Sequence, residues 1–269
     1  MQFTSPDLPS TASGYCVEST LLGARKETVK LISVCLATYN GEKYVAAQVE
    51  SILASPLVGE LLVSDDGSSD RTVDVIERFS DPRIKVFRGP RAGVGKNFEF
   101  LLTMARGEYI FLSDQDDIWK PEKVRLMVEQ LQQADLVISD CVVVDQDLKV
   151  LHPSYFDLMD SRPGLLKNIA RNSYLGCCMA LRRRLLTHIL PLPRSLPLHD
   201  WWIGLIAEAF GTVIFLNVSL LEYRRHADNA SPSSGRSRVP ISDRLRRRAL
   251  MVWYLLLRRL GGTIQRPPR

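Results

Sequence analysis

The sequence of 269 residues is poor in the residues that build zinc sites and disulfide frameworks. It has five cysteines and four histidines, with no CxxC pair and no His/Cys cluster at metal-ligand spacing. The cysteine count is odd, and three of the cysteines lie in apolar segments. Reduced, mostly buried thiols in a cytosolic compartment are therefore expected. The five are Cys16, Cys35, Cys141, Cys177 and Cys178.

Long hydrophobic runs are also missing. The longest candidate, 249–257, is about half of the roughly 20 residues that a membrane span needs. The first 30 residues show no cationic segment followed by an apolar one, so no secretory signal is expected. A hydrophobic content of 45% and a charged content of 24% are ordinary for a soluble globular protein. This length suits one α/β domain with appendages.

The net charge of +5 is modest and unevenly placed. Residues 244–248 carry four arginines, which indicates a basic C-terminal tail more than a basic protein. No recognition module for nucleic acid accompanies them, so no nucleic-acid partner is expected. Anionic lipid head groups or phosphorylated ligands suit such a tail better.

Short apolar runs alternate with segments of helical spacing over the first half of the chain. Because strands that alternate with helices form βαβ units, this pattern predicts a mainly parallel sheet flanked by helices. We expect a loosely ordered leader over 1–30, one domain over 31–230 with halves 31–118 and 119–230, and a linker with a helix over 231–269. The predicted strands are Leu31–Ala37, Glu60–Ser64, Ile84–Phe87, Tyr109–Leu112 and Leu136–Ser139, and the predicted helices are 42–54, 70–79, 95–106 and 120–133.

Polar loops follow three of these predicted strands, over 38–41, 65–70 and 114–117. In parallel sheets, ligands bind beyond the carboxyl ends of the strands, so the three loops are expected on one rim. Asp114, Asp116 and Asp117 repel each other unless a cation lies among them. Hard oxygen ligands favour Mg²⁺ or Mn²⁺ over Zn²⁺. The alternative is an Asp-rich turn that caps the next helix.

The second half of the chain has a different pattern. An apolar run over 176–181 is followed by a predicted helix over 199–210 and by two short predicted strands at 213–216 and 219–223. We expect this half to face the acceptor of any reaction that the polar rim performs.

The C-terminal segment predicts an amphipathic helix that begins at a Ser242 or Asp243 cap, runs to Leu260 and stops at Gly261. Arginines at both ends, a tryptophan and a short apolar centre suit a helix in a membrane interface. Docking on the protein body or on a second subunit is the alternative. The apolar stripe consists of Leu245, Ala249, Val252, Trp253, Leu256 and Leu260.

Five motifs in order resemble family 2 glycosyltransferases, which have the A-type glycosyltransferase (GT-A) fold. They are VCLATYNG from Val34, VSDDGSSD from Val63, GEYIFLSDQDDIW from Gly107, GC from Gly176 and LHDWW from Leu198. Their spacing fits across about 31–230. The strings SDQDDIW and HDWW, together with YRRH from Tyr223, look most like the rhamnosyltransferase-type branch that builds bacterial surface polysaccharides.

The resemblance implies a role for each matching residue. Asp114 and Asp116 would form the metal-binding pair, Asp116 as the direct ligand and His226 near the metal or the diphosphate. Lys96-Asn97 stands where relatives often have Arg-Asn, and a lysine supplies charge without the arginine fork. The implied donor-binding residues are Thr38, Tyr39, Asn40, Asp65, Asp66, Lys96, Asn97, Asp114, Gln115 and Asp116.

Asp200 matches the position of the catalytic base, although an aspartate there also suits the N-cap of the next helix. An alcohol is a poor nucleophile, so a carboxylate must accept its proton as the new bond forms. Attack opposite the leaving diphosphate inverts the anomeric centre, as in inverting glycosidases. The expected acceptor-side residues are Gly176, Cys177, His199, Trp201 and Trp202. Since adjacent helical positions face different ways, one tryptophan should stack on a sugar and the other should pack.

The expected reaction is sugar transfer from a dTDP- or UDP-linked donor, first of all dTDP-rhamnose, to a glycan or lipid-linked acceptor. The expected cofactor is Mn²⁺ or Mg²⁺, and the expected location is the inner face of the cell membrane. A sugar nucleotidyltransferase is an alternative, but no Gly-rich phosphate loop follows Leu36. A non-catalytic sugar-nucleotide-binding or scaffold protein is another. The sequence leaves the oligomeric state open.

Overall fold

The computed structural model describes residues 31–193, 198–226 and 240–261. The predicted leader with Cys16 lies outside the described residues, as does most of the predicted linker. The other four cysteines are free and buried, as expected for reduced thiols.

The described chain alternates strands and helices through its first half. The strands are β1 (Ile32–Thr38), β2 (Glu60–Asp65), β3 (Ile84–Arg88), β4 (Tyr109–Ser113), β5 (Ile118–Trp119), β6 (Leu136–Val144), β7 (Val150–His152), β8 (Met179–Arg182) and β9 (Val213–Arg224). The helices are α1 (Val45–Leu53), α2 (Thr72–Glu77), α3 (Val94–Met104), α4 (Lys123–Leu131), α5 (Tyr155–Met159), α6 (Leu165–Ala170), α7 (Leu186–Ile189), α8 (His199–Phe210) and α9 (Ile241–Arg259).

The strands form one sheet in the order β3-β2-β1-β4-β8-β6-β9-β5, with β7 paired to β6. The first four strands pair in parallel, and β6 pairs in parallel with β9. β8 runs antiparallel between β4 and β6. All seven residues of β1 are buried, as expected for a strand covered on both faces by helices. The predicted α/β fold with a mainly parallel sheet is confirmed.

Sequence pattern explains how the helices cover this sheet. α1 buries Val45, Gln48, Val49 and Ile52, and α3 buries Asn97, Phe98, Leu101 and Leu102. Spacings of three and four residues place each set on one helical face, which packs on the apolar strands. Parallel βαβ units of this kind bring successive loops to the same edge of the sheet.

The two short strands expected at 213–216 and 219–223 are one strand of 12 residues, so that prediction was wrong. Leu216 pairs with Ser139 and Ser219 pairs with Asp140, which leaves 217–218 as an irregularity in β9. Extra residues in one strand shift the register without ending the pairing. β5, β7, α5 and α6 were not predicted from the sequence.

The C-terminal helix begins without the predicted side-chain cap. Pro240 is the N-cap residue, and neither Ser242 nor Asp243 has that role. At the other end, Gly261 has a φ of 72°, as the predicted stop requires. Within the described residues, no helix is long and apolar enough to cross a membrane.

Candidate active site

The three polar loops meet at one rim because the strands before them are neighbours in the sheet. Thr38 at the end of β1 pairs with Asp65 at the end of β2, and Leu36 pairs with Ser113 at the end of β4. Loops after these three residues therefore leave the sheet side by side. The predicted clustering of the loops is confirmed.

Asp65 builds the loop after β2. Its carboxylate accepts hydrogen bonds from the backbone nitrogens of Gly67 at 3.1 Å and Ser68 at 2.9 Å. It also accepts from the hydroxyl of Thr38 at 3.2 Å. Gly67 has a φ of 101°, which favours glycine in this tight turn. Thr38 and Asp65 thus hold the rim in shape, and their role towards a donor stays a prediction.

Two further predicted donor residues join neighbouring loops. The carboxylate of Asp66 accepts from the backbone nitrogens of Ala92 at 3.3 Å and Gly93 at 2.8 Å, at the start of α3. The side-chain oxygen of Asn40 accepts from the backbone nitrogen of Ser69 at 2.8 Å. These bonds fix the distance between the loops that follow β1, β2 and β3.

Tyr39 has an exposed ring at the rim. Gln115 fixes its backbone in both directions, since its amide oxygen accepts from the nitrogen of Tyr39 at 2.8 Å and its amide nitrogen donates to the oxygen of Tyr39 at 3.0 Å. The loops after β1 and β4 are thereby joined. An aromatic face held in this way can stack on a nucleobase.

Lys96 and Asn97 differ in what they offer a donor. The Lys96 ammonium is paired with Glu99 on the same helix. Asn97 is buried, and its amide nitrogen donates to the backbone oxygen of Ser64 at 2.7 Å. In this structure, Asn97 ties α3 to β2, and the donor contact expected of it stays a prediction.

The metal-binding pair expected from the sequence is divided between two groups of contacts. Nε2 of His226 lies 2.7 Å from Oδ2 of Asp116, and the His226 ring stacks on Tyr44 with centroids 4.8 Å apart. Nε of Arg224 donates to the backbone oxygen of Asp116 at 2.8 Å. Asp116 and His226, which are 110 positions apart in the chain, are therefore in contact, and their expected role at a metal stays a prediction.

Asp114 lies in a second group that the sequence did not reveal. One ligand atom each from Asp114, Asp117 and Cys177 lies within 4.8 Å of the other two. Oδ1 of Asp117 accepts from the nitrogen of Arg224 at 3.1 Å, whereas its buried Oδ2 has no hydrogen-bond partner among the described residues. Burial and the charge of Asp116 raise the pKa of Asp117 well above its ordinary value.

The carboxylates fit a divalent cation. Burial and the charges of Asp116 and Asp200 raise the pKa of Asp114 to about 8, because acids crowded in a dry site disfavour the charged form. A cation would remove that repulsion. Asp114 and Asp116 offer carboxylate oxygens, the ligands that Mn²⁺ and Mg²⁺ prefer, and the imidazole of His226 lies against Asp116.

The pKa of Asp114 predicts how stability depends on pH. The folded pKa of about 8 exceeds the ordinary 3.8. Between these values the folded protein holds the extra proton, so the free energy of unfolding falls as pH rises. We expect the Tm of the metal-free protein to fall between pH 6 and 8.5, and Mn²⁺ to restore it. Scanning fluorimetry of wild type and Asp114→Asn measures this. An equal pH dependence in both proteins would contradict it.

Asp200 lies in the first turn of α8. Its Oδ1 accepts from the backbone nitrogen of Trp201 at 2.6 Å, and burial raises its pKa to about 6. Cβ of Asp200 lies beside Gly176, and the next residue, Cys177, lies in one group with Asp114, so Asp200 and Asp114 border one candidate cleft. A carboxyl with a pKa near 6 is largely ionised at neutral pH and remains a better base than an ordinary aspartate.

Gly176 and His199 pack against each other beside Asp200. A Cβ added at Gly176 would lie 3.0 Å from Nε2 of His199, so that ring would have to shift slightly, and 3.5 Å from Cβ of Asp200, an ordinary contact. The His199 ring stacks on Phe98 with centroids 4.2 Å apart. Burial lowers the pKa of His199 to about 4, so the imidazole is neutral at pH 7. Its two nitrogens have no hydrogen-bond partner among the described residues.

Trp201 and Trp202 both belong to the core. The indole nitrogen of Trp201 donates to the oxygen of Asn168 at 2.8 Å, and that of Trp202 donates to the oxygen of Ile189 at 2.9 Å. Both side chains are buried. The expectation that one of them stacks on an acceptor sugar is not met, because opposite sides of α8 are both covered, one by α6 and the other by α7 and α9.

Sequence reasoning missed Lys123, a buried lysine below the acidic loop. Its Nζ donates to the backbone oxygen of Cys177 at 3.2 Å and lies 5.1 Å from the centroid of the Trp119 ring. Burial lowers the pKa of Lys123. The signal was present, since Lys123 occupies the same helical face as Val124, Met127 and Leu131. Its contact fixes the position of Cys177 beneath Asp114.

Comparison with known proteins agrees with this fold. Residues 33–190 match the family described as glycosyl transferase family 2. The chain belongs to glycosyl transferase family 2, and the resemblance inferred from its motifs is confirmed. It is accordingly a glycosyltransferase by family.

Curated relatives extend the similarity beyond the matched region. The chain is 28% identical over 212 residues to an uncharacterized glycosyltransferase of Nostoc sp., covering 74% of this chain and 66% of that one. It is 27% identical over 202 residues to the putative teichuronic acid biosynthesis glycosyltransferase TuaG of Bacillus subtilis, covering 72% and 79%. The chain thus spans about two thirds of the first of these relatives.

Among solved structures, S. aureus TarS residues 1–349 in complex with UDP-GlcNAc has a TM-score of 0.65 and 20% identity. The match covers 82% of this chain and 66% of that one. At this identity the match supports the GT-A fold, and the rhamnosyltransferase-type branch stays a prediction.

Proposed function

We propose that this protein is an inverting, metal-dependent glycosyltransferase that moves a sugar from a nucleoside diphosphate to a hydroxyl group. One observation carries the proposal: Asp200, the expected base, packs beside Gly176, whose neighbour Cys177 lies with Asp114 in a group of ligand atoms within 4.8 Å of one another. A base and a cation-binding carboxylate in one cleft are the two groups that such a transfer needs.

The donor would bind along the rim formed by the loops after β1, β2 and β4. The exposed Tyr39 ring offers a face to the base. The nitrogen of Asp66 donates to the oxygen of the neighbouring Thr38 at 2.9 Å. S. aureus TarS, which shares the fold, was crystallised with UDP-GlcNAc, and a nucleotide sugar is accordingly the proposed donor class. Within that class, the SDQDDIW and HDWW strings favour dTDP-rhamnose, with UDP-sugars as the second choice.

In the proposed reaction, the Asp200 carboxylate accepts the proton of the acceptor hydroxyl. The hydroxyl oxygen bonds to the anomeric carbon on the face opposite the diphosphate, and the bond to the diphosphate breaks with its electron pair on the leaving oxygen. Mn²⁺ or Mg²⁺, bound by Asp114, Asp116 and His226, would neutralise the charge on that leaving group. The backbone nitrogen of Trp201 donates to Asp200 and would help to hold the carboxylate in place.

A glycan or lipid-linked glycan of a bacterial surface polysaccharide is the proposed acceptor. The similarity to TuaG, a putative teichuronic acid biosynthesis glycosyltransferase, supports this class. Gly176 and Cys177 would lie beside the acceptor because they border Asp200 and Asp114. An enzyme with a lipid-linked acceptor would work at the inner face of the cell membrane.

Donor binding tests the proposal. Isothermal titration calorimetry would compare dTDP-rhamnose, UDP-sugars and the free nucleoside diphosphates, with and without Mn²⁺. We expect one donor to bind, dTDP-rhamnose first of all. Mn²⁺ should raise its affinity at least about tenfold, because a divalent cation held by the protein carboxylates also binds the phosphates of the donor. Failure of every donor to bind with Mn²⁺ present would contradict the proposal.

A further inference from the structure

Helix α9 is docked on the protein body by one face. Met251, Tyr254 and Leu255 are buried, and the edge of the Tyr254 ring meets Trp202 of α8 with centroids 6.4 Å apart. A guanidinium nitrogen of Arg258 donates to the backbone oxygen of Pro191 at 2.8 Å. Helix α9 is therefore held in a fixed orientation against α8, the helix that carries Asp200 in its first turn.

The opposite face of α9 is also apolar and is open to solvent. With 3.6 residues per turn, the residues of this face lie on the side of the helix away from Met251 and Tyr254. They extend along about 22 Å of the helix axis. We call this set the outer stripe. It consists of Leu245, Ala249, Val252, Trp253, Leu256 and Leu260, of which the five large side chains are 57%, 38%, 48%, 53% and 83% exposed.

Arginines border the outer stripe. α9 contains six arginines and one acid, Asp243, a surplus equal to the net charge of +5 of the whole chain. On the helix, Arg246 and Arg259 lie on either side of the stripe. Long basic side chains can stay at a polar surface while their apolar neighbours enter a less polar layer.

We propose that the outer stripe binds the surface of a membrane that contains anionic lipids. Single exposed hydrophobic residues are common, whereas a contiguous apolar stripe marks an interaction site. Contact between two copies through this face would bring arginines of like charge together. Anionic head groups complement these arginines, and Trp253 with its leucines suits the boundary between head groups and acyl chains.

Membrane binding by the outer stripe can be tested without the proposed function. Only the reason for such binding, to bring the enzyme to a lipid-linked acceptor, rests on the proposed function. α9 packs on α8, which carries Asp200 at its start, so a membrane-bound stripe would keep the acceptor side of the cleft near the lipid surface. Vesicle binding requires neither donor nor turnover. A failure of the membrane proposal and a failure of the catalytic proposal would therefore be distinguishable.

Flotation of the full chain with vesicles tests the proposal. One set would contain phosphatidylcholine alone, and the other equal parts of phosphatidylcholine and phosphatidylglycerol. We expect binding to the anionic vesicles and at least about tenfold weaker binding of Trp253→Ser/Leu256→Ser, since two large apolar side chains leave the interface. Arg246→Gln and Arg259→Gln should each weaken binding roughly fivefold, on anionic vesicles only.

The matched control is Val150→Ser/Leu151→Ser, which removes two exposed apolar side chains from β7 and should leave flotation unchanged. Unchanged Tm values would show that the variants stay folded. The proposal is overturned if wild type does not float with anionic vesicles, or if the stripe variant floats equally well. Light scattering tests the other occupant. If wild type self-associates without binding vesicles, and Trp253→Ser/Leu256→Ser no longer self-associates, the outer stripe is a contact between copies of the chain.

Discussion

Replacing Asp200 by asparagine is expected to lower kcat for sugar transfer by a factor of about 10²–10⁴, the usual contribution of a general base. The amide keeps the shape of the side chain and can still accept the hydrogen bond from the nitrogen of Trp201. It cannot accept the acceptor proton. Steady-state kinetics at saturating donor would measure the loss, and calorimetry should show donor binding largely unchanged.

The same variant should be at least as stable as wild type near pH 7. Burial raises the pKa of Asp200 to about 6, so ionisation of the folded protein at pH 7 has a cost that the amide removes. Asp74→Asn is the matched control, because Asp74 lies in the first turn of α2 and is exposed. Full transfer activity in Asp200→Asn would refute the base assignment.

Replacing Asp116 by asparagine is expected to weaken Mn²⁺ binding and to lower kcat/KM by a factor of about 10² or more. Asp116 is the expected direct ligand, and its carboxylate lies 2.7 Å from Nε2 of His226. Without its charge, the metal that stabilises the leaving diphosphate is held poorly. Titration of Mn²⁺ in the calorimeter and in the transfer assay measures both effects.

Asp117→Asn is the matched control for this variant, since it makes the same change at the next residue. The pKa of Asp117 is held well above its ordinary value by burial and by the charge of Asp116. The asparagine oxygen can keep the hydrogen bond from the nitrogen of Arg224, and Asp117 is not one of the expected metal ligands, so we expect Mn²⁺ affinity to change less than about threefold. Equal losses in the two variants would show that Asp117 is also a metal ligand.

Much of the fold was predictable because apolar runs and helical spacing alternate clearly through the first half. Four strands, β1 to β4, were located to within one residue at each end, and the start of β6 was located at Leu136. β6 continues to Val144, well past its predicted end at Ser139. No feature of the neighbouring sequence predicts that the strand continues past Ser139. The continuation depends on pairing with β9, which is distant in the sequence. Short elements such as β5 and β7 likewise exist through tertiary pairing.

The candidate site was predictable in composition and less so in geometry. Asp66 and Asp116 lie in loops that follow β2 and β4. They were therefore expected at one rim of the parallel sheet, where the structure has them. The contact of Asp114 with Cys177 depends on β8 returning beside β4, which no local pattern signals. One of Trp201 and Trp202 was expected to stack on a sugar and the other to pack, but neighbouring helices cover both side chains.

Analysis of the transfer product tests the central claim most directly. The full chain would be incubated with Mn²⁺, its bound nucleotide sugar and a lipid-linked or soluble glycan acceptor, and the product examined by proton NMR. The account predicts metal-dependent release of nucleoside diphosphate and a new glycosidic bond with the anomeric configuration opposite to that of the donor. A product that retains the donor configuration, or equal transfer with the metal removed by EDTA, would contradict it.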